Sequence, residues 1–267
     1  MQLLSRPAFE TLYRKLHRSY AQAGVPPTLQ RCFSTPWKRL AYTIRDLSPR
    51  ERRFRAEETN FDGRHNVDTR TRRDSGWMAR ISSPNWVHGI GYAPVGADDL
   101  STILAGLNID HQQFVFGDLG AGKGRAVLVA AQFPFKQSLG IEYSPSLVEV
   151  MKNNIASYRN PSQRCFELEG CLEDATEFEL PLHPLLLFFH HPFEEVIFRQ
   201  VRARTERSLA QHPREVLVIY YDPQCGVVFE ESPHFRILKR GVSKSCSAWA
   251  GDWVVYAASS ASAAGSQ

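Results

Sequence analysis

Phe114-Val-Phe-Gly-Asp-Leu-Gly-Ala-Gly-Lys-Gly-Arg125 runs from an apolar strand through a glycine loop towards a helix. The strand ends in Asp118, and Gly120, Gly122 and Gly124 follow at alternate positions. Glycines there permit positive φ and close approach of backbone to a ligand, and the helix presents unpaired N–H groups at its start. Several nucleotide chemistries use such a loop. A phosphate-binding P-loop is matched by Gly117, Gly122 and Lys123, but position 124 is Gly where a magnesium-binding hydroxyl is required. Lys123 is therefore expected to point into solvent from the first helical turn. The dinucleotide fingerprint GxGxxG is also missed, because the loop reads GxGxG before Arg125 and Ala126. A carboxylate at Asp118 would moreover repel a pyrophosphate.

S-adenosylmethionine fits better, because it carries no phosphate and has an ammonium and a sulfonium charge. Asp118 can receive the ammonium. Glu142 lies 24 residues further on, at the end of the second expected strand, where an acid can hold both ribose hydroxyls. Asp174, after the third strand, is expected to accept from the adenine amino group, with Cys171, Leu172 or Ala175 beside the ring. The cofactor site so read comprises Asp118, Gly120, Ala121, Gly122, Gly124, Glu142, Tyr143, Asp174, Ala175 and His190.

Outward from the loop, apolar runs alternate with helical spacing. Helices are expected over 98–107, 125–132, 147–156 and 198–209. Strands are expected over 138–142, 165–168, 185–189 and 216–221, with 235–238 and 253–257 as a terminal antiparallel pair. The unbroken apolar runs Leu185–Phe189 and Val216–Tyr221 are those of strands buried on both faces. Alternation of this kind implies parallel βαβ units. Upstream, 8–22 and 37–46 are expected to be helical, and 50–94 reads as a polar, irregular loop held over a site.

The stretch from about Tyr92 to Tyr221, roughly half the chain, resembles the class I S-adenosylmethionine-dependent methyltransferases. More narrowly it resembles a bacterial-type group with an Asp-Leu-Gly-x-Gly-Lys-Gly-Arg loop, here Asp118–Arg125. Phe133-Pro-Phe135, Gly140-Ile-Glu142, Val67-Asp-Thr69 and Tyr92-Ala-Pro94 are similar to other signatures of that group. The resemblance implies an α/β, Rossmann-like fold. Its sheet has seven strands, mostly parallel with the last antiparallel, and helices on both faces. It also implies that the upstream residues close over the methionine moiety. Where the group carries Asn-Pro-Phe after the fourth strand, this chain has His190-His191-Pro192-Phe193. His191, Phe193 and Tyr92 are thus the candidates around the methyl acceptor. A neutral His191 can accept a hydrogen bond or act as a general base; equally, His190 and His191 can be polar residues ending a buried strand. No metal site is expected, since no third ligand is evident. Asn66 stands where the group has Gly, which is tolerable if φ is positive there.

The 267 residues carry a net charge of +4 that hides an asymmetry. Residues 1–80 hold 17 Lys and Arg against 8 Asp and Glu, and the remainder 15 against 20. The basic part, with Arg50, Arg52, Arg53, Arg55, Arg70, Arg72 and Arg73, either attracts an acidic or nucleic-acid partner or packs on the core as a solvated extension. The expected organisation is a basic extension and lid over 1–97, a methyltransferase domain over 98–260 and a frayed tail over 261–267. Five scattered cysteines without a CxxC pair fit a reducing compartment. With no signal-peptide core and no membrane-length apolar run, a cytoplasmic location is expected. The acceptor is open among protein side chains, RNA and small molecules. The competing readings are a non-catalytic nucleotide-binding domain and a nicotinamide-dependent oxidoreductase.

Overall fold

In the computed structural model the described residues are 49–70, 83–90, 92–243 and 251–259. The helices expected over 8–22 and 37–46, the tail over 261–267, and Arg72 and Arg73 lie outside them. Two compact units divide the chain at Arg52/Arg53, and the account below concerns the second.

Seven strands form one sheet: β1 (Val115–Leu119), β2 (Gln137–Glu142), β3 (Leu168–Leu172), β4 (Leu185–His190), β5 (Val216–Tyr221), β6 (Phe235–Val242) and β7 (Asp252–Ala258). Their order is β3-β2-β1-β4-β5-β7-β6. Pairings among β1 to β5 are parallel, whereas β7 runs antiparallel to β5 and β6. This is the Rossmann-like arrangement that the resemblance implied, seven strands mostly parallel with the last antiparallel.

The double burial expected of β4 and β5 is present. Val216, Val218 and Tyr220 belong to one apolar layer, while Leu217, Ile219 and Tyr221 belong to the other. Helices cover both faces. α2 (Ala97–Ala105) and α3 (Arg125–Ala130) pack on the second layer through Leu100, Leu104 and Val129, with α1 (Pro49–His65) contributing Phe61. α5 (Glu195–Gln211) and α6 (Val227–Glu230) pack on the first through Phe198, Val201 and Phe229. α4 (Pro145–Ser157) lies against β3 and β2.

Two expectations are corrected. Residues 49–65 form a helix instead of an irregular loop. Its sequence is polar almost throughout, so it shows no apolar stripe, and Phe61 alone of its large apolar side chains is buried among those described. The third strand is Leu168–Leu172 instead of 165–168, because an edge strand with a Glu and a Gly carries no apolar run to mark it. Phe61 and Val95, upstream of residue 98, are 3% exposed and belong to the same apolar layer as Phe116 of β1. Asn66 has φ of 55°, the left-handed conformation its place required.

The chain moves outward from β1 in both directions, to β2 and β3 on one side and to β4 and β5 on the other. A crevice opens where strand order reverses, beyond the carboxyl ends of β1 and β4. The glycine loop and the His190–Phe193 turn meet there.

Candidate functional site

The loop after β1 is held by two hydrogen bonds to one acceptor: the N–H groups of Gly120 and Ala121 both donate to the Ile141 carbonyl, at 2.9 and 3.0 Å. Gly120 has φ of 87° and Gly122 of 55°. A side chain at Gly120 would meet Pro192 Cβ at 2.2 Å, and one at Gly122 would meet the Tyr92 ring at 2.2 Å. Glycine is required at both by conformation and by space. Pro192 and Tyr92 therefore close directly over the loop.

Asp118 and Glu142 are 4% and 5% exposed. Glu142 accepts from Gly122 N through Oε2 and from Ser144 N through Oε1, both at 2.9 Å. Burial pushes its carboxyl up to about 6, with the hydrogen bonds from Ser144, Gly122 and Tyr143 holding it from rising further. Asp118 is pushed well above the usual carboxylate range by burial and then by the neighbouring Glu142 charge. No group among the described residues donates a hydrogen bond to its side chain. Two acids thus share one buried neighbourhood, an arrangement that a positively charged ligand would relieve.

A cleft opens over Glu142 and the glycine loop, and Asp118, Ala121 and Gly124 do not line it. Gly120, Gly122, Glu142, Tyr143, Ala175 and His190 line it, as do Tyr92 and Phe193. Burial raises the Tyr143 hydroxyl to about 12. Asp174 does not line the cleft, although Glu173 and Ala175 beside it do. Its carboxylate receives four hydrogen bonds: Thr176 N at 2.8 Å, Thr176 Oγ1 at 2.7 Å, Asn85 Nδ2 at 3.0 Å and the Ser83 hydroxyl. Burial alone would raise its pKa, but the bonds from Ser83, Thr176 and Asn85 outweigh burial and lower it. Here Asp174 ties the segment before α2 to the end of β3, with its acceptor capacity already used.

The two histidines diverge. His190 ends β4 and lines the cleft; His191, with φ of 42°, does not line it. The His191 ring lies near-parallel to Phe198 and Tyr220, and its Nδ1 is 2.7 Å from the Tyr220 hydroxyl. Burial holds its pKa below the usual histidine value, against the pull of Asp222. Phe193 is 6% exposed and pairs as an isolated antiparallel bridge with Gly89. Further hydrogen bonds, Ile90 N to Pro192 O and Glu194 N to His88 O, both 2.9 Å, fasten the upstream segment along the turn.

Tyr92 is anchored from behind. Its hydroxyl donates to the Thr69 carbonyl at 2.7 Å, and burial raises its pKa. Thr69 is fully buried and donates to Asp62 through Oγ1 at 2.6 Å and through its N–H at 3.0 Å. Arg125, 3% exposed, bonds the Thr69 hydroxyl, pairs with Asp62 at 3.4 Å and stacks over Phe61 at 4.4 Å. Asn154 accepts from Asp68 N at 2.7 Å and donates to the carbonyls of Asp68 and Lys123. Lys123 is the correction in this region. It is 7% exposed and donates to the Arg70 carbonyl at 3.0 Å instead of reaching solvent. The supporting roles of Asp62, Thr69, Arg125 and Asn154 escaped the sequence reading. The only signal was the upstream Val67-Asp-Thr69 signature.

No protein-family model matches the sequence, and no curated protein matches it. Among solved structures, the chain is similar to a SAM-dependent methyltransferase of Leishmania major, with 15% identity and a TM-score of 0.45 over 60% of this chain and 70% of that one. It is also similar to the glycopeptide N-methyltransferase MtfA complexed with S-adenosyl-L-homocysteine, with 13% identity and a TM-score of 0.47 over 64% and 89%. A third is a tRNA methyltransferase of M. jannaschii, with 14% identity and a TM-score of 0.43 over 64% and 52%. At such identities, function is a matter for the site's own residues.

Among the described residues no group of three His, Cys, Asp or Glu is arranged to hold a metal ion, and no helix is long and apolar enough to cross a membrane.

Proposed function

We propose that the chain binds S-adenosylmethionine in this cleft and transfers its methyl group to a nucleophilic acceptor. One observation carries the reading: Asp118 and Glu142 are buried near each other, late in adjacent parallel strands, beside a glycine loop that Pro192 and Tyr92 close over. Two clustered carboxylates suit a ligand with an ammonium and a ribose, and repel a dinucleotide's pyrophosphate. Asp118 would receive the ammonium, Glu142 the ribose hydroxyls, and Tyr143 and Ala175 would flank the adenine. When bound, the cofactor supplies a methyl carbon already activated by sulfonium charge. The protein's task is then alignment and exclusion of water. Tyr92, Pro192 and Phe193 serve that task by roofing the loop. Asp174 contributes by fixing Ser83 and Asn85, and through them the roof's upstream end.

The arginine-rich first third is proposed as a surface for an acidic partner, read from charge alone. A cytoplasmic setting is proposed from the cysteine pattern. The decisive experiment is a thermal-shift and calorimetric comparison of adenosylmethionine, adenosylhomocysteine, NADH and ATP, on wild type and on the Asp118→Ala and Glu142→Ala variants. Only true ligands of the native state stabilise it by mass action. Stabilisation by the two adenosyl ligands, lost in both variants, is expected. Stabilisation by NADH or ATP alone would overturn the assignment.

A further inference from the structure

Residues 68–70 pass the glycine loop as a strap whose backbone is held wholly by side chains. Asn154, on α4, grips Asp68 twice: its Oδ1 accepts from Asp68 N at 2.7 Å, and its Nδ2 donates to Asp68 O at 3.0 Å. Asp62, on α1, accepts from the N–H groups of Thr69 and Arg70 at 3.0 and 3.1 Å. The Tyr92 hydroxyl donates to Thr69 O at 2.7 Å, and Lys123 Nζ donates to Arg70 O at 3.0 Å. All six backbone polar groups of these three residues are thus satisfied outside any helix or strand.

Lys123 is the member of this set that the glycine loop itself contributes. A lysine beside a helix start can keep its ammonium in water simply by extending. Here it is 7% exposed, and burying an ammonium costs free energy unless partners replace its water. The Arg70 carbonyl and the Asp68 carboxylate, the latter at 3.6 Å, are those partners. The lysine's own carbonyl accepts from Asn154 Nδ2 at 2.9 Å, which ties loop and strap to one amide.

We propose that Lys123 is a positioning residue for the cofactor: it draws the strap against the glycine loop, and the strap sets Tyr92 over Gly122. The inference rests on the proposed binding of S-adenosylmethionine and names a control on that same site. The path consists of contacts: Lys123 Nζ to Arg70 O, the adjoining Thr69 carbonyl to the Tyr92 hydroxyl, and the Tyr92 ring against Gly122. Gly122 is also the residue whose N–H donates to Glu142, so the ring's position bears on that acid. Tyr92 lines the cleft, whereas Lys123, Thr69 and Asn154 do not. The lysine therefore acts on a ligand through the tyrosine. Its ammonium is committed to a carbonyl and a carboxylate, so it does not serve as the phosphate-binding lysine whose place in the sequence it occupies. Filling the cleft and ordering the strap favour each other, because such coupling is reciprocal.

Calorimetry with adenosylmethionine on the full chain compares wild type, Lys123→Met, Tyr92→Phe and the double variant. Tyr92→Phe removes the bond to Thr69 and keeps a ring over the loop. Lys123→Met should weaken binding about tenfold in the wild-type background. In the Tyr92→Phe background it should weaken binding by less than about threefold, because the path is already cut. An equal loss in both backgrounds would mean that the lysine acts on the loop directly, and would overturn the inference. So would an affinity that Lys123→Met leaves unchanged. No binding by wild type would remove the proposed function itself, and this inference with it. Should Lys123→Met not fold, hydrogen exchange of wild type decides. The amides of Asp68, Thr69 and Arg70 should exchange at least about tenfold more slowly with adenosylmethionine bound, and equal rates end the proposal.

Discussion

The backbone N–H of Gly122 donates to Glu142 Oε2 at 2.9 Å, which couples the tip of the glycine loop to the end of the second strand. Loop shape and the placement of a buried acid are thus one structural fact. Replacing Glu142 with Ala should disturb both. The loss expected for a buried, charge-assisted interaction is about 1–3 kcal/mol, or about 5- to 150-fold in adenosylmethionine affinity. Calorimetry checks it, and an unchanged affinity would detach Glu142 from the ligand.

Gly122 and Tyr92 compete for one volume. In Gly122→Ala the new Cβ falls 2.2 Å from the Tyr92 ring at a φ of 55°, which should destabilise the fold by about 1–3 kcal/mol. Removing the ring in Tyr92→Ala should make the glycine substitution cheaper. A double-mutant cycle by urea unfolding should show coupling of at least about 0.5 kcal/mol. Strict additivity would mean that the ring does not cover the loop in solution.

Stability should respond to acid through two opposed groups. Glu142 sits at about 6, above its ordinary 4.5, so its contribution is fully present below about 4.5 and is lost as pH rises through 6. His190 sits at about 4, below its ordinary 6.5, so its contribution is present above about 6.5 and is lost as pH falls towards 4. Between about 4.5 and 6 the two slopes partly cancel. Glu142→Gln should therefore lose stability on acidification more steeply than wild type, and His190→Asn less steeply. Urea midpoints measured from pH 4 to 7 test the pair, and identical slopes in all three proteins would refute it.

The Asp62–Arg125 pair holds Thr69, and Thr69 holds Tyr92. Asp62 is 5% exposed and Arg125 3%. Removing one partner leaves the other charge buried, so Asp62→Ala should cost about 3–5 kcal/mol. It should also weaken adenosylmethionine binding, although Asp62 does not line the cleft. Denaturant titration and calorimetry on the same variant separate the two effects. Full stability would show that the pair is solvated and the anchor inessential.

The sequence by itself determined the features that short range controls. The glycine spacing of Gly120, Gly122 and Gly124 and the acids Asp118 and Glu142 announce their positions through neighbours a few residues away. The doubly buried runs Leu185–Phe189 and Val216–Tyr221 do the same, because a strand shielded on both faces has no polar side to show. Tertiary structure alone decided the rest. Lys123 is buried because Arg70 and Asp68, more than fifty residues upstream, come to meet it. Asp174 is saturated because Ser83 and Asn85 are folded onto it. Of two adjacent histidines, His190 lines the cleft and His191 turns towards Tyr220. That choice follows from strand register and one left-handed residue, for which two consecutive identical letters carry no sign.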